Sequence, residues 1–188
     1  ILERLPVKAN DPLARELRQL RAEVTSRKTD PQPATELAQR YVDLAGAEGD
    51  PRYVGYAEAL IRPWLEGGVK TLPTEVIFTR AMIRQYRHDF ANALQDLDQV
   101  LAANPNHLDA LAWKWALYMV LADYEKARAA CEQRRVMASA LSLAGCTATL
   151  DSVTGKAKPA YQLLASAFSK DPNRTPDYRQ WLHTRLDR

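Results

Sequence analysis

Side chains that commonly carry catalysis or bind metal ions are sparse in this sequence. Its three histidines, His88, His107 and His183, lie far apart along the chain and form no His-Glu-x-x-His motif or similar ligand spacing. His88 falls between two predicted helices, where we interpret it as a residue that tolerates an unusual turn conformation. Asp96 and Asp98 point to different faces of a predicted helix, so we expect both to be solvated. These residues predict neither a metal site nor a catalytic site.

Motifs for nucleotide binding or nucleophilic catalysis are also missing. The glycine-containing stretches 49–55 and 67–73 lack the Lys-Ser/Thr pair of a phosphate-binding loop, and we interpret them as helix connections. No Gly-x-Ser-x-Gly sequence occurs. The four tryptophans lie inside periodic helical segments, which favours packing over stacking on nucleic-acid bases. We therefore predict a protein that is not an enzyme and uses no cofactor.

The composition favours a folded, helical protein. Hydrophobic residues make up 46% of the 188 residues, charged residues make up 26%, and glycines number only seven. The 26 basic and 23 acidic residues are interleaved along the chain, which indicates a solvated helical surface and argues against a nucleic-acid partner. No apolar run is long enough for a membrane span, and no signal peptide is visible. Because the chain begins with Ile1, we expect a processed or trimmed protein.

Proline and glycine divide the sequence into ten predicted helices, and no segment has the pattern of a strand. Asp11 and Pro12 form a typical helix start. Pro63 should kink the last turn of the third helix or end it early. From residue 73 the helices come in pairs, 73–87 with 90–103, 107–121 with 124–136, and 138–152 with 157–170, before a last helix at about 175–187.

A skeleton of residues recurs in the second helix of each pair. Ala93 is followed by Ala127 after 34 residues and by Ala160 after another 33. Four residues after each alanine stands Leu97, Cys131 or Leu164, and twelve after stands Pro105, Ser139 or Pro172. The alanine lets the two helices of a pair approach closely, and the larger residue fills the contact with the next pair. One pair cannot bury its apolar face alone, so this period predicts a stack of helical hairpins.

These residues and their period resemble the tetratricopeptide repeat (TPR) family, in particular its bacterial-type members. The resemblance implies an all-α fold, a right-handed superhelical stack of antiparallel helix hairpins with about ten helices. It implies an N-terminal capping helix and connection, four repeats and a C-terminal capping helix, at 1–33, 34–72, 73–106, 107–139, 140–174 and 175–188. We expect Ala81, Ala93, Ala148 and Ala160 at the close contacts between helices.

The first helix of each pair departs from the family's pattern. The position at which the family favours leucine holds Arg80, Lys114 and Thr147 in successive repeats. Trp115 occupies a position for a small residue. These departures bear on the rotation of the first helices rather than on the hairpin architecture.

TPR arrays mostly bind peptides or protein segments in a concave groove lined by the first helix of each pair. Carried onto this sequence, the resemblance implies eight groove residues, namely Phe78, Met82, Gln85, Tyr86, Ala112, Ala116, Met119 and Val120. The alternative is that these side chains pack against the N-terminal helices. The resemblance thus implies a scaffold or adaptor whose partner is another protein or a peptide. A self-assembling, homo-oligomeric component is the first alternative, and a weak nucleic-acid binder is the second.

The sequence contains two cysteines, which the predicted helices place opposite each other. Cys131 lies in the second helix of one pair and Cys146 in the first helix of the next, each seven or eight residues from the chain reversal near Ser139. Antiparallel neighbours at that level can meet the Cα separation of a disulfide, about 4.4–6.8 Å. We predict this bond, with two free buried thiols as the alternative. It indicates an exported, periplasmic protein, and a cytoplasmic one is the alternative.

Overall fold

The computed structural model describes residues 11–68 and 71–170 of the chain. Within them it contains nine α-helices and no strand, which confirms the all-α class. The helices are α1 Pro12–Ser26, α2 Pro31–Glu48, α3 Arg52–Glu66, α4 Thr74–Tyr86, α5 Phe90–Ala103, α6 Leu108–Val120, α7 Tyr124–Gln133, α8 Ala140–Val153 and α9 Ala157–Lys170. The helix predicted at about 175–187 lies outside the described residues. No described helix is long and apolar enough to cross a membrane.

Several helix starts follow directly from the local sequence. Asp11 and Asp30 each accept a hydrogen bond from a backbone N–H of the first turn, and a proline follows each at the start of α1 and α2. His107 caps α6, because its Nδ1 accepts a hydrogen bond from the N–H of Ala110 at 3.2 Å. Pro63 does not end α3 early, because the helix continues through this residue to Glu66.

The first of two compact units covers residues 1–105, and its described helices are α1 to α5. In this unit α2 pairs with α3 and α4 with α5, while α4 also packs against both α2 and α3. Ala81 and Ala93 are buried, as the close contact between α4 and α5 requires. Helix α1 packs on α2, where Nη2 of Arg21 donates a hydrogen bond to the Tyr41 hydroxyl at 2.7 Å.

The second unit covers residues 106–188, and its described helices are α6 to α9. Helix α6 pairs with α7 and α8 with α9, and α7 contacts α8. Ala127 of the first pair is buried. The core of the second pair consists of Leu141, Ala144, Ala148, Ala160 and Leu164. The small residues of the repeated skeleton therefore lie at helix contacts in this unit too.

The turn inside three hairpins has the same left-handed backbone conformation. His88 has a φ of 60° and Ala122 a φ of 56°, and Gly155 stands at the equivalent place with a φ of 87°. Glycine adopts this conformation at no steric cost, whereas alanine has to be held in it by the surrounding hairpin. The structure thus gives His88 the turn role expected from the sequence.

A buried ion network explains why Arg80 occupies a leucine position in α4. Asp96 of α5 is only 1% exposed, so the expectation that it is solvated is wrong. Arg80 donates to its two carboxylate oxygens from Nη2 at 2.6 Å and from Nε at 2.9 Å, and Nη1 of Arg84 donates at 2.6 Å. Because α4 and α5 pack closely, the carboxylate that faces α4 loses water and takes guanidinium groups as partners instead. Asp98, two residues on, is exposed as expected.

The close contact of α4 and α5 predicts that a larger residue at position 93 destabilises the protein. Ala93→Leu adds three carbon atoms at a fully buried position, so we expect unfolding free energy to fall by about 1–3 kcal/mol. Ala91→Leu is the matched control, because Ala91 is exposed on the same helix and should change stability by less than about 0.5 kcal/mol. Equal midpoints in urea denaturation for both variants would contradict the packing.

The ion network predicts a second pair of stability effects. Asp96→Ala leaves two guanidinium groups facing each other without a carboxylate, and we expect a loss of about 2–4 kcal/mol. The loss stays toward the lower end of the range for buried pairs because both arginines are partly exposed. Asp98→Ala removes an exposed carboxylate from the same helix and should cost at most about 1 kcal/mol. Denaturation that ranks the two variants in the opposite order would refute the role of Asp96.

Candidate functional site

The first-helix face, by which we mean the eight predicted groove residues of α4 and α6, is only partly open in the first unit. Phe78 and Met82 are each 6% exposed, so the structure corrects the expectation that these two side chains face a partner. The reason is that α4 packs against α2 as well as α3, and Nε2 of Gln39 in α2 reaches Thr79 Oγ1 at 2.9 Å. Gln85 and Tyr86, at the last turn of α4, remain half-buried.

In the second unit the first-helix face is more accessible. Ala112, Ala116 and Met119 of α6 are half-buried, and Val120 is 64% exposed. The next residue, Leu121, is also exposed. Helix α6 therefore ends in a surface that is apolar, which is unusual for the outward side of a solvated helix.

One apolar residue of this kind escaped the sequence analysis. Val153, at the end of α8, is 53% exposed. It follows Val120 by 33 residues, and Val120 follows Tyr86 by 34, so the three stand at equivalent places in successive repeats. The repeat spacing is a sufficient signal for Val153, and this residue extends the first-helix face to the end of α8.

Three interactions join α7 to α8, namely a disulfide bond, an ion pair and a hydrogen bond. The structure joins Cys131 and Cys146 in a disulfide bond, with their Cα atoms 6.1 Å apart. Arg128 pairs with Asp151 at 2.7 Å, and Nη2 of Arg134 donates to Ser142 Oγ at 2.8 Å. Because the two helices are antiparallel, the order of these residues along α7 is the reverse of their order along α8.

The electrostatics of this contact are set chiefly by burial. Loss of water lowers the pKa of the Arg134 guanidinium, and the carboxylate of Asp109 acts in the opposite direction. The guanidinium has only donor groups, and Ser142 supplies an oxygen acceptor for it. The role of Arg134 is therefore to hold α7 against α8.

The described histidines serve the fold. His88 occupies a hairpin turn, and its ring meets the ring of Phe90 edge-on at 5.4 Å. His107 is the cap of α6, and His183 lies outside the described residues. No cluster of three or more histidine, cysteine, aspartate or glutamate side chains suited to a metal ion occurs in residues 11–68 and 71–170. Trp64, Trp113 and Trp115 are half-buried within helices.

The similarity of this chain to known proteins is structural. No protein-family model and no curated protein matches the sequence. The crystal structure of MamA superposes with a TM-score of 0.58 at 13% identity, covering 88% of this chain and 96% of that one. The crystal structure of PilW, a widely conserved type IV pilus biogenesis factor, gives 0.62 at 16% identity, covering 93% and 76%.

A third solved structure carries the name of the repeat. It is a tetratricopeptide repeat protein from Parabacteroides merdae, with a TM-score of 0.59 and 20% identity, and the match covers 85% of this chain and 61% of that protein. At these identities the comparison concerns the fold alone. Together with the helix pairs, the buried alanines and the recurring turns, it shows that this chain has the fold of tetratricopeptide repeat proteins.

Proposed function

We propose that this protein is a non-catalytic scaffold that binds a segment of another protein on the exposed part of its first-helix face. The observation that carries the proposal is the exposure of apolar side chains at equivalent repeat positions, above all Val120 and Val153. The TPR fold supports it, since the proteins that share this fold include a factor for pilus biogenesis. Neither MamA nor PilW supplies a partner for this chain.

The chemistry of the exposed positions suits a peptide with apolar side chains. Removing apolar surface from water contributes about 25 cal/mol per Å². A partner that covers Val120 therefore gains binding free energy from burying this side chain. Met119 lies beside it and can adapt to different side chains because methionine is flexible and polarizable. A few such residues usually carry most of the binding free energy of an interface.

Self-assembly is the second candidate function. Tyr161 and Leu163 of α9 are exposed, and large apolar side chains on one helix can pack against a second copy. Light scattering coupled to size-exclusion chromatography distinguishes the two candidates. A monomer across a wide concentration range favours the scaffold, whereas a stable dimer that Leu163→Glu dissociates favours assembly.

We further infer an oxidising compartment for the protein, such as the periplasm. The inference rests on the disulfide, which uses both cysteines of the chain. Disulfides of this structural kind persist outside the reducing cytosol. The cytoplasm is the alternative and requires both thiols to be free.

The scaffold proposal predicts a position-specific loss of partner binding. A photo-reactive amino acid at position 120 or 153 should cross-link to the same partner protein, which mass spectrometry identifies. Val120→Glu should then weaken binding of that partner about tenfold or more, because a carboxylate would have to lose water in an apolar contact.

Val136→Glu is the matched control for this experiment. Val136 is the same residue type, is exposed in the same unit and lies in the turn between α7 and α8, away from the first-helix face. The control should keep the affinity of the unaltered protein. Equal losses for the two variants, or cross-links at position 136 alone, would refute the proposed face.

The inferred compartment predicts the state and the effect of the disulfide. When cells are lysed directly into denaturant with an alkylating reagent, neither cysteine of the protein should become alkylated. The bond spans a sequence separation of 15, and closing such a loop stabilises by about 3 kcal/mol in the chain-entropy model, so a reductant should lower the melting temperature. A reductant should leave the melting temperature of the Cys131→Ser variant unchanged, because this variant has no disulfide to reduce. Two alkylated cysteines in the isolated protein would contradict both the bond and the compartment.

A further inference from the structure

A cleft of about 270 Å³ lies between α3 and α4, entirely within the first unit. It is separate from the first-helix face, because its α4 residues differ from the predicted groove residues. Its charged lining consists of Arg62, Arg80, Arg84, Arg87, Glu58 and Glu66. Four arginines around so small a space are an unusual charge density for a helix surface whose basic and acidic residues otherwise alternate.

Two of these arginines are held in place and still have unused hydrogen-bond donors. Asp96 accepts hydrogen bonds from Nε and Nη2 of Arg80 and from Nη1 of Arg84. Nη1 of Arg84 also donates to the Asn92 carbonyl at 3.3 Å. A guanidinium carries five N–H donors, so Nη1 of Arg80 and both Nε and Nη2 of Arg84 make no hydrogen bond to a described residue. The two side chains are 21% and 30% exposed, which leaves these donors open to a ligand.

The four arginines of the cleft outnumber the three carboxylates of Glu58, Glu66 and Asp96 by one. Asp96 offers one negative charge to two guanidinium groups. Arg87 and Glu58 form a one-to-one pair at 2.7 Å. Arg62 is exposed on α3 and forms no ion pair with a described residue. A carboxylate entering from outside would therefore meet an unbalanced positive charge and preoriented donors, the arrangement in which charge-assisted hydrogen bonds are strongest.

The rest of the cleft is apolar. The side chains of Ile61 and Ile83 form its floor and are buried, while Leu65 is exposed at its rim. Sites for drug-sized ligands measure about 300–1,000 Å³, so this cleft suits one or two side chains of a longer chain. A single carboxylate needs only the open donors of Arg80 and Arg84, whereas a continuous row of phosphates would also have to pass Glu58 and Glu66, which disfavours nucleic acid.

We propose that the cleft between α3 and α4 is a second docking site, which binds an acidic segment of a partner protein with a carboxylate next to an apolar side chain. The carboxylate contacts the open donors of Arg80 and Arg84, with Arg62 at the rim. The apolar side chain covers Leu65. Asp96 acts as a positioning residue, because it holds the two guanidinium groups toward the cleft and does not touch the ligand.

The test is selection of peptides from a random phage-displayed library on the full chain. Enriched peptides should combine aspartate or glutamate with a neighbouring aliphatic or aromatic residue. A synthetic peptide of the enriched sequence is then titrated by fluorescence anisotropy against four variants. Arg62→Glu reverses the unpaired rim charge and should weaken binding about three- to tenfold, and Leu65→Ser should weaken it as well.

Lys28→Glu is the matched control, since it changes the net charge equally at an exposed position outside the cleft, and it should bind as the unaltered protein does. Val120→Glu should also leave the affinity for this peptide unchanged, because Val120 lies outside the cleft. The proposal for the cleft and the proposal for the first-helix face can therefore fail independently. Replacing the peptide's acidic residues with amides should abolish binding. Any of three results would overturn the proposal. The first is enrichment of peptides without acidic residues, and the second is equal weakening of peptide binding by Arg62→Glu and Lys28→Glu. The third is Arg62-dependent binding of single-stranded RNA or of phosphatidylglycerol vesicles without peptide binding.

Discussion

Two helices can pack at close range only where one of them lacks a bulky side chain, and the hairpins of this protein meet that condition with alanine. Ala93 faces a first helix that offers Ala81, and Ala160 faces one that offers Ala148, all of them buried. The close approach removes water from whatever else lies along the contact. The polar groups that remain there must find partners within the protein, and the unusual features of both units follow from this requirement.

The first helices illustrate how the requirement is met where family-typical leucines are missing. Arg80 finds the carboxylate of Asp96 on the neighbouring α5. Lys114 lies over the ring of Tyr118, which a second lysine, Lys126 of α7, also approaches. Thr147 of α8 contacts the sulfur of Cys131 in α7 at 3.6 Å. Arg80 and Thr147 make directional contacts with the neighbouring helix, so they specify which helices pair, whereas the contact of Lys114 with Tyr118 stays within α6.

The same packing decides where the surface is available for binding. In the first unit α2 and α3 both cover α4, so the apolar residues of α4 belong to the core. Its arginines, which Asp96 holds by ion pairs, form one wall of a charged cleft. In the second unit the end of α6 keeps an apolar surface. The two units thus expose surfaces of different chemistry although they are built from the same hairpin.

Much of the architecture was determined by the sequence itself. Caps such as Asp11 and Asp30, the turn residue His88 and the 34-residue spacing of small residues act through local geometry, and local geometry is what a sequence pattern specifies. The exposure of Phe78, Met82 and Asp96 was decided only by the tertiary structure. Helical periodicity gives the direction in which a side chain points, but not whether a neighbouring helix covers that direction. Phe78 and Met82 lie on a helix that packs against α2, α3 and α5, and both are buried. For Asp96 it was the close approach of α4 that turned a carboxylate expected in water into the centre of a buried ion network.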